Sequence, residues 1–125
     1  MRVEIESFSF LCAKHIHSYD YVVDARILDF RGRGVQWQTE TGLDAHVIKI
    51  AEEQPELRTL IASAAYFAHT AYLQGRKLVK LGIGCLHGRH RSVVVAEGLA
   101  VRLRQLGHDD VSVRHRQLDK AESLW

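Results

Sequence analysis

Hydrophobic and polar positions follow patterns along the chain that predict an α/β fold. Residues 2–10 alternate with a period of two, which is typical of a strand. A β-rich run at residues 21–26, an apolar run at residues 78–83 and an alternating run at residues 111–116 predict three more strands. Helical patterns lie between these runs. We therefore expect a mostly parallel sheet with helices packed on it.

The helical patterns differ in length and composition. Residues 57–72 carry an alanine-rich stripe, which predicts a helix packed closely on the sheet. Apolar spacing over residues 93–106 predicts a second helix, and Gly107 stands where a helix end is expected. A shorter helix is predicted after Asp44, whose carboxylate is suited to cap it. We expect a single domain over residues 1–125.

A glycine-rich turn joins the third strand to the last long helix. Such a turn gathers unpaired backbone N–H groups and the positive end of the helix dipole at one point, which favours an anion. The ligand-binding residues predicted here are Cys85, His87, Gly88, Arg89, His90, Arg91 and Ser92. The sequence therefore predicts a bound phosphate group at residues 85–92.

Three further residues are predicted to shape the rest of the ligand site. Arg26 ends the second predicted strand, Asp44 precedes a helix and His115 lies in the last strand. Polar groups at strand ends are where α/β domains usually place their site residues. We expect these side chains to contact the part of the ligand beyond the phosphate.

Charge is unevenly distributed along the chain. Residues 1–75 carry 7 Lys and Arg against 10 Asp and Glu, whereas residues 76–125 carry 10 against 5. The basic part contains the glycine-rich turn, as expected for an anionic ligand or a nucleic acid. The hydrophobic fraction of 46% excludes the disordered class.

Neither a cofactor nor a metal ion is expected. His15 and His17 lie in a loop without a nearby acidic or cysteine partner, and the histidines of the turn do not have the spacing of a standard zinc site. The two cysteines are too few for a disulfide framework. No signal segment or membrane-spanning run is recognisable, so we expect a cytoplasmic protein that does not contact a membrane.

The turn also has the spacing of a catalytic loop. Cys85, five residues, Arg91 and then Ser92 resemble the phosphate-binding loop of cysteine-dependent protein tyrosine and dual-specificity phosphatases. In that chemistry a thiolate attacks phosphorus while an arginine binds two phosphate oxygens. The general-acid candidates are Asp29 and Asp44. A phosphatase with Cys85 as nucleophile and Arg91 as clamp is the alternative to a binding domain.

Several motifs over roughly residues 7–120 resemble the C-terminal domain of the bacterial RapZ (YvcJ) family. They are residues 7–10 (SFSF), 24–26 (DAR), 41–44 (TGLD), 82–85 (GIGC), 88–93 (GRHRSV), 96–97 (AE) and 112–116 (SVRHR). The resemblance implies an α/β domain similar to a subdomain of sugar-phosphate kinases, here standing alone. It implies binding of an amino-sugar phosphate and, as in enterobacterial members, of small RNAs. The family's P-loop belongs to another domain and does not occur in this chain.

This chain departs from the family pattern at three places. The family's Cys-Thr-Gly-Gly is Cys-Leu-His-Gly at residues 85–88, which removes a hydroxyl and adds an imidazole. The asparagine–proline loop is replaced around residues 29–34, and the lysine-rich tail is reduced to Lys120. Because phosphate contacts supply most of the non-specific affinity for RNA, the reduced tail weakens the RNA interpretation most.

We interpret the chain as a regulatory or sensor domain that binds a phosphorylated small molecule. RNA binding is a secondary expectation, through contacts to phosphates. The residues expected to contact RNA are Arg89, Arg114, Arg116 and Lys120. Self-association into a homo-oligomer through the apolar tail around Leu124 and Trp125 is a further expectation.

Overall fold

Four parallel strands form the sheet around which the chain folds. The computed structural model describes residues 1–119. The strands are β1 (Arg2–Ser9), β2 (Tyr21–Asp24), β3 (Leu78–Cys85) and β4 (Val111–His115), and the helices are α1 (Ala45–Glu52), α2 (Glu56–Leu73), α3 (Arg91–Gln105) and α4 (Arg116–Asp119). The order across the sheet is β2-β3-β1-β4. All three neighbouring pairs are parallel, so the predicted α/β fold is confirmed.

Helices α1, α2 and α3 cover the face of the sheet to which the strands turn their apolar residues. Val3 and Ile5 of β1 lie beside Val79 and Leu81 of β3 in the parallel register, and all four are buried. They join the inward residues of the three helices in one hydrophobic cluster. The alanines of the α2 stripe belong to this cluster, which is the close packing on the sheet that the stripe predicts.

Aromatic rings cover part of the opposite face and explain the glycines of β3. A Cβ on Gly82 would lie 2.7 Å from Cε2 of Tyr19, and one on Gly84 would lie 2.6 Å from Cε2 of Phe10. The Tyr19 hydroxyl donates a hydrogen bond to Oε1 of Glu6 at 2.5 Å. Parallel sheets are usually covered on both faces, and here the segment between β1 and β2 supplies the second cover.

Asp44 precedes α1, as predicted, but the prediction that its carboxylate caps the helix is wrong. Its Oδ2 accepts a hydrogen bond from the backbone N–H of Thr41 at 2.7 Å. The N–H of Asp44 in turn donates to the carbonyl of Thr41 at 3.0 Å. The side chain therefore closes its own turn instead of the helix, a local competition typical of aspartate.

No helix within residues 1–119 is long and apolar enough to cross a membrane. In the same range, no three His, Cys, Asp or Glu side chains are grouped so as to hold a metal ion. Lys120, Leu124 and Trp125, for which RNA contact or self-association is predicted, lie outside the described residues.

Gly82→Ala is expected to lower the free energy of unfolding by roughly 1–3 kcal/mol, because the added methyl group overlaps the Tyr19 ring. Urea denaturation measures this cost. In a Tyr19→Ala background the same glycine substitution should cost much less, since the ring is gone. An equal cost in both backgrounds would show that the ring is not the reason for the glycine.

Candidate functional site

The carboxyl ends of β2 and β3 bring two parts of the predicted site together. Asp24 at the end of β2 lies beside Gly84 near the end of β3. After β2 the chain makes a 3₁₀ turn over Ala25–Ile27, and after β3 it turns into α3. Nη1 of Arg91 donates to the backbone carbonyls of Arg26 and Leu28 at 3.2 and 3.3 Å. The first turn of α3 is therefore tied to the segment after β2.

Arg91 is held in place by these two carbonyls and is partly exposed. Its Nε and Nη2 atoms form no hydrogen bond within residues 1–119. Together these atoms form the planar fork that arginine uses to bind two oxygens of a phosphate or carboxylate. The side chain combines a fixed position with an available binding edge.

Arg26 lies next to Arg91, but its charge is already balanced. Its Nε and Nη2 donate to Oδ1 and Oδ2 of Asp24 at 2.9 and 2.7 Å. These hydrogen bonds from Arg26 lower the pKa of Asp24. The guanidinium also lies over the ring of Phe10, with Cζ 4.3 Å from the ring centroid. Arg26 is therefore expected to add less attraction for an anion than Arg91.

His90 fastens the turn to the loop that precedes α1. Its Nε2 donates to the carbonyl of Glu40 at 2.6 Å, and the N–H of Gly42 donates to the carbonyl of Arg89 at 2.8 Å. We call these four residues the loop clamp. The clamp leaves no room for a side chain at Gly42, where a Cβ would lie 2.6 Å from Cβ of Val93.

Burial favours the neutral form of His90. The imidazole is only 4% exposed, and this burial lowers the pKa of His90. The charges of Arg89 and Arg91 lower the pKa further, while the bond to Glu40 opposes the shift. A neutral imidazole that donates through Nε2 has an acceptor at Nδ1. His90 therefore positions the loop, and neither ring nitrogen is set to donate to an anion.

Cys85 lies beneath the turn, at the end of β3 and on the helix-covered face. Its side chain is 2% exposed and belongs to the hydrophobic cluster. Its Sγ donates to Oγ of the fully buried Ser92 at 3.1 Å. Gly88 has a positive φ of 73°, and a Cβ there would lie 2.8 Å from the backbone nitrogen of Ser9. The turn therefore packs directly on the end of β1, with the thiol below it.

Two adjoining cavities lie beside the turn. One of about 730 Å³ is lined by Trp37, Gln38, Leu86, His87, Arg89, His90 and Arg91. The other, of about 460 Å³, is lined by residues 26–31 together with Trp37 and Arg91. The structure therefore groups His87, Arg89, His90 and Arg91 around one cavity, with Arg26 at its neighbour. Trp37 and Arg91 line both.

Asp44 and His115, which were predicted to shape the ligand site, line neither cavity. His115 is buried, and its Nδ1 lies 2.7 Å from Oγ of Ser7. Its Nε2 lies 2.7 Å from Oε2 of Glu97. A contact of either residue with a ligand stays a prediction, and the geometry gives His115 a buried polar network instead.

The sequence interpretation missed Trp37, Gln38 and Leu86, which line the larger cavity. Trp37 lies three residues after the segment 29–34, and Leu86 lies inside the predicted turn. A tryptophan in a loop that also contains glycine, arginine and glutamine is the signal that could have identified Trp37, since binding residues are often found on loops.

The residues within 1–119 that are predicted to contact RNA are Arg89, Arg114 and Arg116, and Nη1 of Arg89 lies 3.5 Å from the carbonyl oxygen of Gln117, the residue after Arg116. The Nη1 atoms of Arg114 and Arg116 donate to the carboxylate of Glu6 at 3.4 and 3.1 Å. Arg89 lines the cavity beside the turn. The charges of Arg114 and Arg116 are therefore partly compensated.

Known proteins match this chain over most of its length. The family model described as the RapZ C-terminal domain matches residues 1–119. A nucleotide-binding protein of Cellvibrio japonicus is 34% identical over 125 residues, which is 96% of this chain and 41% of the relative. Nucleotide-binding proteins of Alkalilimnicola ehrlichii and Aeromonas hydrophila are 41% and 37% identical over 81% and 82% of this chain and 36% of each relative. The chain spans about two fifths of the curated relatives it matches.

The lowered pKa of His90 predicts that the domain loses stability as the pH falls below about 6.5, the ordinary histidine value. In that range the unfolded chain takes up a proton that the folded chain still resists. The stabilisation is therefore complete above the unfolded pKa and is lost toward the lower, folded pKa. His108, whose pKa is lowered by burial and by His69, acts in the same direction.

Thermal unfolding in phosphate-free buffers between about pH 5 and 8 measures this slope. His90→Gln, which keeps a donor for the Glu40 carbonyl, should flatten it. His17→Gln, at an exposed histidine, should leave it unchanged. An unaltered slope in His90→Gln would contradict the assignment.

Proposed function

The chain belongs to the RapZ C-terminal domain family, and we propose that it is a regulatory domain that binds a phosphorylated small molecule at residues 85–92. The observation that carries this proposal is the Nε and Nη2 edge of Arg91, which is positioned by two carbonyls and bonded to nothing else within residues 1–119. Arg91 is also the first residue of α3. An anion on this edge would lie at the positive end of the helix dipole.

The surroundings of Arg91 also support an anionic ligand. No side chain caps the N-terminus of α3, so its first N–H groups remain directed toward the turn. Arg89 and His87 line the same cavity. A phosphate group here could contact the positive charge of Arg89, the planar fork of Arg91 and the backbone N–H groups of α3. Phosphate-binding proteins use this combination repeatedly.

The position of Cys85 favours binding over phosphatase chemistry. A thiolate nucleophile must reach the phosphorus atom, whereas the Cys85 side chain is 2% exposed and bonded to Ser92. A general acid must carry a proton, but the hydrogen bonds from Arg31 hold the pKa of Asp29 at about 2. We therefore keep a cysteine-dependent phosphatase as the alternative, supported by motif spacing alone.

RNA binding is the secondary role that we propose. Within residues 1–119, the basic residues predicted for it are Arg89, which lines the cavity beside the turn, and the pair Arg114 and Arg116, which donates to Glu6. An RNA strand contacting both would be bound mainly through its phosphates. Glu6 partly neutralises the charges of Arg114 and Arg116, which lowers their attraction for RNA phosphates. This favours a small molecule as the principal ligand.

Arg91→Ala is expected to weaken binding of inorganic phosphate by at least about tenfold, since two charge-assisted hydrogen bonds are lost. Titration calorimetry at fixed ionic strength measures the change. Arg91→Lys should recover only part of the affinity, because an ammonium group cannot form the planar fork. Arg102→Ala, at an exposed arginine of α3, is the matched control and should bind like the parent chain. Equal affinity in Arg91→Ala would refute the proposed site.

Cys85→Ser distinguishes binding from catalysis. A binding domain should retain its phosphate affinity in this variant and should show no turnover of a generic phosphatase substrate before or after the substitution. Turnover by the parent chain that Cys85→Ser abolishes would establish the phosphatase instead. Thermal unfolding of the variant checks that the buried Cys85–Ser92 contact is not required for folding.

A further inference from the structure

Trp37 stands where the two cavities meet. Its side chain is 48% exposed, and it lines both cavities together with Arg91. Its indole meets the His90 ring almost perpendicularly, with centroids 4.8 Å apart and an angle of 86° between the planes. His90 is itself held by the carbonyl of Glu40. The indole is therefore supported from the loop clamp, and much of it remains available to a ligand.

The larger cavity combines cations with apolar surface. Leu86 lines it and is 40% exposed, so the wall beyond the arginines is formed in part by Leu86 and Trp37. The Leu86 side chain ends in two methyl groups and carries no hydrogen-bonding group. A flat apolar group can fill this space without leaving hydrogen-bonding groups unsatisfied.

A ligand with an ammonium group or many hydroxyl groups fits this lining poorly. Within residues 1–119, no carboxylate lines the larger cavity. In the adjoining cavity Asp29 is already bound by Arg31, whose Nε and Nη2 each lie 2.9 Å from a carboxylate oxygen. Gln38, which also lines the larger cavity, has a neutral polar side chain that can both donate and accept. An ammonium group would instead face Arg89 and Arg91.

We propose that the ligand is a phosphomonoester of an aromatic group, of the size of a nucleoside monophosphate, with its phosphate on Arg91 and its ring stacked on Trp37. This inference rests on the proposed function, because it takes the phosphate position from it. The cavity of about 730 Å³ falls within the range of roughly 300–1,000 Å³ that is usual for small-molecule sites. Stacking on an aromatic side chain tolerates different rings.

The test compares ligands that share a phosphate and differ in the attached group. The probes are inorganic phosphate, phenyl phosphate, adenosine 5′-monophosphate, glucose 6-phosphate and glucosamine 6-phosphate, titrated by calorimetry at one ionic strength. The two aromatic probes should bind on the order of tenfold more tightly than inorganic phosphate. The two sugar phosphates should gain little, and glucosamine 6-phosphate should bind least well of the four esters.

Variants at Trp37 separate stacking from charge. Trp37→Ala should remove the advantage of the aromatic probes, measured as the ratio of their affinity to that of inorganic phosphate in the same variant. Trp37→Phe should restore most of the advantage, whereas Trp37→Leu, which is apolar but lacks a ring, should not. The chain has two tryptophans, so a Trp125→Phe background makes Trp37 the sole source of tryptophan fluorescence. Adenosine 5′-monophosphate should change that fluorescence and glucose 6-phosphate should not.

The inference and the proposed function fail in different ways. If sugar phosphates bind more tightly than phenyl phosphate, or if the aromatic advantage survives Trp37→Ala, the aromatic ligand is wrong while the phosphate site stands. If neither inorganic phosphate nor any ester binds, or if Arg91→Ala changes no affinity, the phosphate site itself is wrong. Thermal unfolding of each Trp37 variant confirms that it is folded before its affinities are compared.

Discussion

The hydrogen bond from His90 to the carbonyl of Glu40 is the interaction on which the candidate site depends. It joins residues that are 50 positions apart in sequence, and the bond from Gly42 to Arg89 reinforces it. His90 immediately precedes Arg91, so the bond also fixes where the arginine fork begins. A buried donor without a partner costs free energy, which favours keeping this contact formed. Trp37 packs on the same imidazole. His90 therefore helps to position Arg91, Trp37 and the loop that precedes α1.

The close approach of this loop also gives a physical meaning to the glycine of the TGLD motif. A Cβ at Gly42 would lie 2.6 Å from Cβ of Val93 and 2.8 Å from the nitrogen of Val94, so α3 begins directly against the backbone of the loop. Any larger residue would separate the loop from the helix. Separation would break both bonds of the loop clamp. Gly42 thus links the packing of α3 to the geometry of the turn at residues 85–92.

Periodicity was enough to predict the parts of the structure that depend on local pattern. The alternation in β1 and the glycine after α3 have direct local causes, and Gly107 indeed has a positive φ of 93°. The turn between β3 and α3 was predictable for the same reason, since strand, glycines and helix follow one another in sequence. The role of Asp44 could not be predicted this way, because its carboxylate could accept a hydrogen bond either from the N–H of Thr41 or from the first turn of α1, and it accepts from Thr41.

The roles of residues whose contacts are distant in sequence were harder to predict. The position of His115 at the end of β4 predicted a site residue, yet the register sets it opposite Ser7 of β1, with which it bonds. Trp37 lies in a loop without periodicity, and its importance appears only when the loop clamp brings it to Arg91. Long-range register and loop closure are three-dimensional constraints that a linear pattern does not contain.

The alternation of side chains along β3 determines which face of the sheet the Cys85 side chain lies on. Side chains alternate along β3, so Val79, Leu81, Ile83 and Cys85 all point to the helix-covered face. Gly82 and Gly84 face the aromatic rings on the other side. Because the strand continues to Cys85 in this phase, the thiol is buried under α3 while Arg91 stays at the cavity. The burial of the thiol argues against Cys85 as a nucleophile, although the spacing of the turn is that of a phosphatase loop.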